Sequence, residues 1–188
     1  MCCQVGVTFN GNSGIPTLTH TEARSHFGAW CIVSSPLTLS MNLKDDAVVD
    51  SVWDIVTNLE AIAVNQAWAG HPGTVVANAS SSVMHQHCHW DDSNCTSPAW
   101  QVWVKPLPRP SGAAAVLLMN HGTTTQSVAT TWEQVGVSCP GGVCYVRDLW
   151  THASVGKVAS GVTRDLASHD SAFFVVSPSP VPALSVRV

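Results

Sequence analysis

The densest group of side chains that could perform chemistry lies between residues 85 and 92. Histidine, cysteine and aspartate recur there at short intervals, as His85, His87, Cys88, His89, Asp91 and Asp92. These residue types are common ligands of zinc and copper. Alternating histidines in a polar loop are nevertheless more typical of a surface feature, and a disulfide would remove the cysteine as a thiolate ligand. We therefore predict neither a metal site nor a cofactor, and the sequence leaves open whether this insertion binds a metal.

Cysteine spacing indicates two short disulfide loops. Two close pairs stand in segments rich in glycine, serine and proline, Cys88 with Cys95 and Cys139 with Cys144. Such pairs are typical of proteins from oxidising compartments. A redox role is disfavoured for Cys139 and Cys144 because redox-active pairs follow the tighter C-x-x-C spacing. Both pairs are therefore predicted to be structural.

Two sequons for N-linked glycosylation point to the same kind of compartment. They begin at Asn78 and Asn94, in the sequences Asn-Ala-Ser and Asn-Cys-Thr. We expect a secreted protein, or one in a lysosome or vacuole. The first residues, Met1 to Gln4, have neither the basic start nor the apolar run of a signal peptide. We therefore expect an N-terminal part to precede this sequence.

The composition excludes several classes of protein. Charged residues make up 11% of the 188-residue chain and its net charge is −4, so the basic stripe of a nucleic-acid-binding protein is missing. No apolar run approaches the length of a membrane span. The apolar fraction of 45% is sufficient for a sizeable core. Four of the eight tryptophans alternate into predicted strands and are expected in the core rather than as sugar platforms: Trp100, Trp103, Trp132 and Trp150.

The first third of the chain has the pattern of helices around one buried strand. Thr19 and Glu22 have the spacing of a capping box, and apolar residues follow at helical intervals until Pro36. Residues 37–41 form a short apolar run that predicts a buried strand. Asp45 and Asp46 then favour a helix N-terminus, and a further helical turn is predicted over 60–68. Helices and strands in this order indicate a parallel α/β sheet or barrel.

The remainder has the pattern of an antiparallel β-sandwich. Strands are predicted over 100–104, 113–119, 127–137, 144–150 and 171–176. Turn residues separate these runs, as is typical of sandwiches. The proline-rich residues 177–182 are predicted to leave the sheet as an extended or mobile tail.

The ordered set of motifs resembles the C-terminal portion of glycoside hydrolase family 27, the group of α-galactosidases and α-N-acetylgalactosaminidases. The matching sequences are EARSHFGAWCIVSSPLTLSMNL, VWDIVTNLEAIAVNQAWAGHPG, WQVWVKPL, AAAVLLMN, VRDLW and ASHDSAFFVVSPSP. The resemblance implies that residues 1–72 are the last βα units of a (β/α)8 barrel. It implies that residues 73–188 are an antiparallel β-sandwich domain, with a Cys/His-rich insertion at about residues 80–98.

The resemblance also implies an activity and a mechanism. Family members are retaining glycosidases that use two carboxylates, one as nucleophile and one as acid and base. In the family both are aspartates on earlier barrel strands, and no residue of this sequence matches either. The carboxylates near the barrel end have the positions of helix-start or surface charges, and none of them forms a good catalytic pair. They are Asp45, Asp46, Asp50, Asp54 and Glu60.

Two functions follow from these observations. In the first, the chain is the C-terminal portion of an enzyme that hydrolyses terminal α-D-galactosyl groups, inactive alone because its catalytic aspartates lie upstream of Met1. In the second, it is a non-catalytic sandwich module that binds carbohydrate or a protein partner. The sequence leaves open the choice between galactose and N-acetylgalactosamine, and between a monomer and a homodimer.

Overall fold

A computed structural model describes residues 5–7, 17–86 and 94–185. In these ranges the helices are α1 (His20–Ile32), α2 (Asp46–Val56) and α3 (Leu59–Gln66), and a 3-10 turn spans Pro140–Gly142. The strands are β1 (Thr74–Asn78), β2 (Ser82–His85), β3 (Cys95–Pro98), β4 (Trp100–Pro106), β5 (Ala114–Asn120), β6 (Gln126–Thr131), β7 (Val143–Asp148), β8 (Ala153–Ala159), β9 (Gly161–Leu166) and β10 (Ser171–Ser177).

Side-chain caps define where the helices begin. The Thr19 hydroxyl accepts the backbone N–H of Glu22, whose carboxylate accepts the backbone N–H of Thr19, so the predicted capping box is confirmed. Asp45 caps α2, and Asn58 caps α3. Helix α1 ends at Ile32, four residues before Pro36, because Ser34 adopts a left-handed conformation with φ of 56°. The backbone N–H of Ser35 then bonds the Trp30 carbonyl, which completes a Schellman turn.

The strand predicted over residues 37–41 is wrong. The segment makes a bridge at Leu39 alone, and 37% of that side chain is exposed. A buried strand needs hydrogen-bonded neighbours on its sides. None of the described residues forms a ladder with this segment.

The sandwich prediction is confirmed, with one large sheet and one small one. The large sheet is antiparallel at each described pairing, with strand order β1-β4-β5-β10-β7-β8. A second sheet pairs β6 with β9, and a separate hairpin pairs β2 with β3. The hairpin occupies the ends of the predicted insertion, whose middle lies outside the described residues.

The six-stranded sheet is buried on both faces at its centre. In β5, Ala115 and Leu117 belong to a core shared with the helices, whereas Val116 and Leu118 belong to a core shared with β6 and β9. Strand β10 alternates in the same way. A strand buried on both faces has a continuous apolar sequence, which explains the run over 113–119. The helices therefore form a third layer over the sandwich.

The strand predicted over 127–137 is about half as long in the structure. Strand β6 ends at Thr131, and a turn follows over 132–136. The Gln134 side chain accepts the backbone N–H of Thr131, and the Thr131 hydroxyl accepts the backbone N–H of Gln134. These bonds satisfy the backbone groups of the turn and end the strand, although apolar Trp132, Val135 and Val137 remain in the core.

Candidate functional site

An ion-pair network joins the helical layer to the sheet. Glu60, in the first turn of α3, has a side chain that is 6% exposed, and it receives two hydrogen bonds from the Arg147 guanidinium of β7, at 2.6 and 2.7 Å. His152 lies 3.0 Å from the same carboxylate through Nδ1. The backbone N–H of Leu184 in the tail donates to Glu60 Oε2 at 3.4 Å. One carboxylate therefore connects a helix, a strand and the tail.

The network determines what Glu60 can do chemically. Burial raises the pKa of Glu60, but hydrogen bonds from Arg147, His152 and the Leu184 backbone, together with the Arg147 charge, more than offset burial and hold the pKa below its usual range. A general acid must carry a proton near the working pH. Glu60 stays ionised and occupied by its partners, so its arrangement is structural.

A buried lysine forms a second polar connection between the layers. Lys105 of β4 is fully buried, and its Nζ donates to Ser34 Oγ at 2.6 Å, to the Val64 carbonyl and to the Asn65 carbonyl at 3.2 Å. Burial lowers the pKa of Lys105 to about 8. The amine thus joins the Ser34 hydroxyl, just after α1, to two carbonyls in the last turn of α3, where helix carbonyls lack partners within the helix.

The remaining predicted carboxylates lie on α2 and its cap. Asp45 accepts the backbone N–H of Val48 at 3.3 Å, and Asp46 and Asp50 are exposed. Asp54 pairs with His20 of α1, with 3.1 Å between Nε2 and Oδ1. These positions fit helix capping and surface pairing, the roles expected from the sequence.

Cys139 and Cys144 form a disulfide that closes the turn before β7. Cys95, at the start of β3, is also disulfide-bonded. Cys88 lies outside the described residues, so its pairing with Cys95 stays a prediction. Asn78 is exposed at the end of the edge strand β1, and Asn94 is exposed just before β3. Both sequons are therefore accessible at the surface.

The histidine cluster can be placed only in part. His85 ends β2 and contacts Ser97 Oγ at 2.7 Å, whereas residues 87–93 lie outside the described ranges. Within those ranges, no group of three or more potential ligands has a geometry that could hold a metal ion. His121 was not among the residues predicted from the sequence. Burial lowers its pKa, and the nearby His85 and His169 lower it further.

The tryptophans divide into core and surface residues. Trp132 is buried and donates Nε1–H to the Val158 carbonyl, and Trp100, Trp103 and Trp150 are partly buried against the two cores. Trp53 and Trp68 are exposed by 56% and 59%. No helix in the described ranges has the length and apolar character needed to cross a membrane.

The sequence is similar to those of known α-galactosidases. Residues 97–176 match the model of the α-galactosidase C-terminal β-sandwich domain. The α-galactosidase of Coffea arabica is 30% identical over 169 residues, which cover 89% of this chain and 38% of the relative. The α-galactosidase of Cyamopsis tetragonoloba is 27% identical over 168 residues, covering 89% of this chain and 34% of the relative. The chain thus spans little more than a third of the length of these relatives.

Solved structures share the fold over the helices as well as the sheets. α-Galactosidase I of Mortierella vinacea superposes with a TM-score of 0.66 and 22% identity, covering 91% of this chain and 38% of that one. A family 27 β-L-arabinopyranosidase of Geobacillus stearothermophilus superposes with a TM-score of 0.68 and 21% identity. The match covers 92% of this chain and 34% of that one. These structures show the fold, and the match over residues 97–176 makes the sandwich similar to the C-terminal domain of α-galactosidases. More narrowly, the chain is similar to the C-terminal portion of family 27 glycoside hydrolases and is α-galactosidase-like, which confirms the resemblance of its motifs.

Proposed function

We propose that these residues are the C-terminal portion of a retaining glycosidase that hydrolyses terminal α-D-galactosyl groups. The observation that carries the proposal is the extent of the similarity. It covers 89% of the chain against the coffee α-galactosidase and therefore includes the helical layer as well as the sandwich. A sandwich module with an unrelated helical segment would be similar over the sandwich alone.

We propose the domain division between residues 72 and 73, with residues 1–72 as the end of a (β/α)8 barrel. The catalytic carboxylates would then come from residues outside this sequence, and the chain alone would be inactive. The positions of the acidic side chains support this assignment. Asp45 caps a helix, Asp54 pairs with His20, and Glu60 is held ionised by Arg147.

The sugar specificity is the least constrained part of the proposal. One structural neighbour is named an α-galactosidase and another a β-L-arabinopyranosidase, with almost equal TM-scores of 0.66 and 0.68. A shared fold does not determine the substrate. We propose an α-galactoside because the curated relatives cited above are α-galactosidases.

We propose a secreted, lysosomal or vacuolar location, with glycans at Asn78 and Asn94. The exposure of both asparagines and the Cys139–Cys144 disulfide support an oxidising compartment. The proposal includes no nucleic-acid, membrane or cofactor partner, and it allows a homodimer.

A chimera tests the proposal. The segment of the coffee α-galactosidase that matches this chain is replaced by the 188-residue sequence, and hydrolysis of p-nitrophenyl α-D-galactopyranoside is compared with the parent enzyme. We expect the chimera to fold and to retain activity. A second chimera carrying Phe173→Asp, which places a charge in the core, should be inactive. A chimera that is folded by circular dichroism but has no activity contradicts the proposal.

A further inference from the structure

A cleft of about 740 Å³ opens at the C-terminal end of α3. Three parts of the chain form its walls: the end of α3 with Trp68, the turn between β4 and β5, and residues 180–185 of the tail. This volume falls within the usual range of small-molecule sites, roughly 300–1,000 Å³. None of the groups discussed for catalysis lines the cleft.

The tail wall is fixed in place by the buried Glu60 network. The Leu184 backbone N–H donates to Glu60 Oε2, and Glu60 is itself held by Arg147. Val181 and Leu184 pack against the helical core. The tail wall is therefore held at Leu184 by one backbone hydrogen bond and by apolar packing, and a site that is already formed loses less free energy on ordering when a ligand binds.

An exposed indole stands at one wall of the cleft. Trp68 is 59% exposed, although tryptophan is usually highly buried. Proline rings from two sides also line the cleft, Pro108 and Pro110 in the turn and Pro180 and Pro182 in the tail. An exposed indole beside rigid apolar walls provides a flat surface for a ring-shaped ligand with an apolar face.

The polar side chains of the cleft suit a ligand rich in hydroxyl groups. Arg109 contributes a guanidinium, a fork of donors with no acceptor, and Gln66 contributes an amide with both. Among the described lining residues Arg109 is the only charged one, so a cationic ligand is disfavoured.

We propose that this cleft binds a saccharide, with the Trp68 indole stacked on the apolar face of one sugar ring and Arg109 and Gln66 bonded to its hydroxyls. The proposal goes beyond the function proposed above, because binding here needs no catalytic carboxylate. The two also fail separately: an inactive chimera leaves binding by the isolated chain untouched, and a cleft that binds no sugar leaves the chimera's activity untouched.

Indole resonances of the 188-residue chain provide the test. Methyl α-D-galactopyranoside and raffinose are titrated up to about 50 mM, a range that detects millimolar affinity, while the indole Nε1–H signals are followed by NMR. Trp68 and Trp53 are assigned from Trp68→Phe and Trp53→Phe variants. Trp53 is the matched control, because it is 56% exposed but lies on α2 away from the cleft lining.

We expect the Trp68 signal to shift with saturation while the Trp53 signal does not. Trp68→Ala should weaken binding about tenfold or more, and Arg109→Ala about threefold or more, as expected for the loss of a stacking surface and of hydrogen bonds. Trp53→Ala should bind as the unmodified chain does. Unchanged Trp68 signals with both sugars overturn the proposal, as does a proline-rich peptide that shifts Trp68 when neither sugar does.

Discussion

At the scale of single residues, Lys105 shows how one buried polar group can hold two helix ends. Its Nζ has three oxygen acceptors, which belong to Ser34, Val64 and Asn65. Transfer of an amine from water to a protein interior costs free energy unless the amine is hydrogen-bonded there. Because these acceptors lie 40 or more positions away in the sequence, the WQVWVKPL motif gives no sign that its lysine points inward.

Replacement of Lys105 by methionine should destabilise the protein by about 2 kcal/mol, because buried carbonyl groups lose their donor. For a chain of this length the melting temperature should fall by roughly 4–8 °C. The measurement is thermal unfolding by circular dichroism. Lys44→Met is the control, since Lys44 is exposed in the turn before α2, and its effect should stay within about 0.5 kcal/mol. Equal melting temperatures for the two variants would contradict this role.

Stability should decrease as the pH falls below about 6.5. Burial lowers the pKa of both His26 and His121 from the ordinary value of 6.5, and for His121 the neighbouring His85 and His169 add to the effect. The unfolded chain therefore binds protons more readily than the folded chain. The contribution of these histidines is fully present above pH 6.5 and is lost as the pH falls through the window between the unfolded and folded pKa values.

Melting temperatures measured between about pH 7.5 and 5.5 test this dependence. The curve should slope downward toward acid, and His121→Asn should flatten it. A slope that points the other way, or that the substitution leaves unchanged, refutes the assignment.

At the scale of elements, the caps are the local features that the sequence identifies best. The Thr19–Glu22 capping box and the Asp45 cap depend on residues three positions apart, so their partners are visible in the sequence itself. Tertiary structure then determines how each element ends. Helix α1 stops at Ile32 because Ser34 turns left-handed, which the pattern preceding Pro36 did not indicate.

Substitution of Thr19 by alanine should cost about 1 kcal/mol, because the N–H of Glu22 loses its acceptor. Hydrogen exchange in the first turn of α1 should accelerate as well. Thr125→Ala, in an exposed loop before β6, is the matched control and should change neither quantity. If both variants have the same stability, the capping box does not stabilise α1.

Strands were predictable where burial gave them a clear pattern. The cores of β4, β5 and β10 were predicted because they are apolar on at least one face. Strands β8 and β9 were missed because their sequences are polar: most of β8 is exposed, and only Val162 and Leu166 of β9 are buried. The strand predicted over residues 37–41 was wrong for the opposite reason. This run is apolar, but it has no paired neighbour among the described residues.

At the scale of the whole molecule, the arrangement in layers could not be derived from periodicity. The sequence predicted a helical part and a sandwich as successive units, whereas the helices pack directly on one face of the six-stranded sheet. The Glu60–Arg147 pair that joins them connects residues 87 positions apart. The resemblance to family 27 indicated that a helical part precedes a sandwich, but not the contacts that hold the layers together.

The central proposal is that this chain, whose architecture is similar to an α-galactosidase C-terminal portion, is inactive alone. Hydrolysis of p-nitrophenyl α-D-galactopyranoside by the purified 188-residue chain tests it most directly. We predict that p-nitrophenol release is indistinguishable from that of a Phe173→Asp variant with a disrupted core. Turnover that increases with the concentration of the chain, and that is lost when Asp45, Asp46, Asp50, Asp54 or Glu60 is replaced by its amide, would contradict the account.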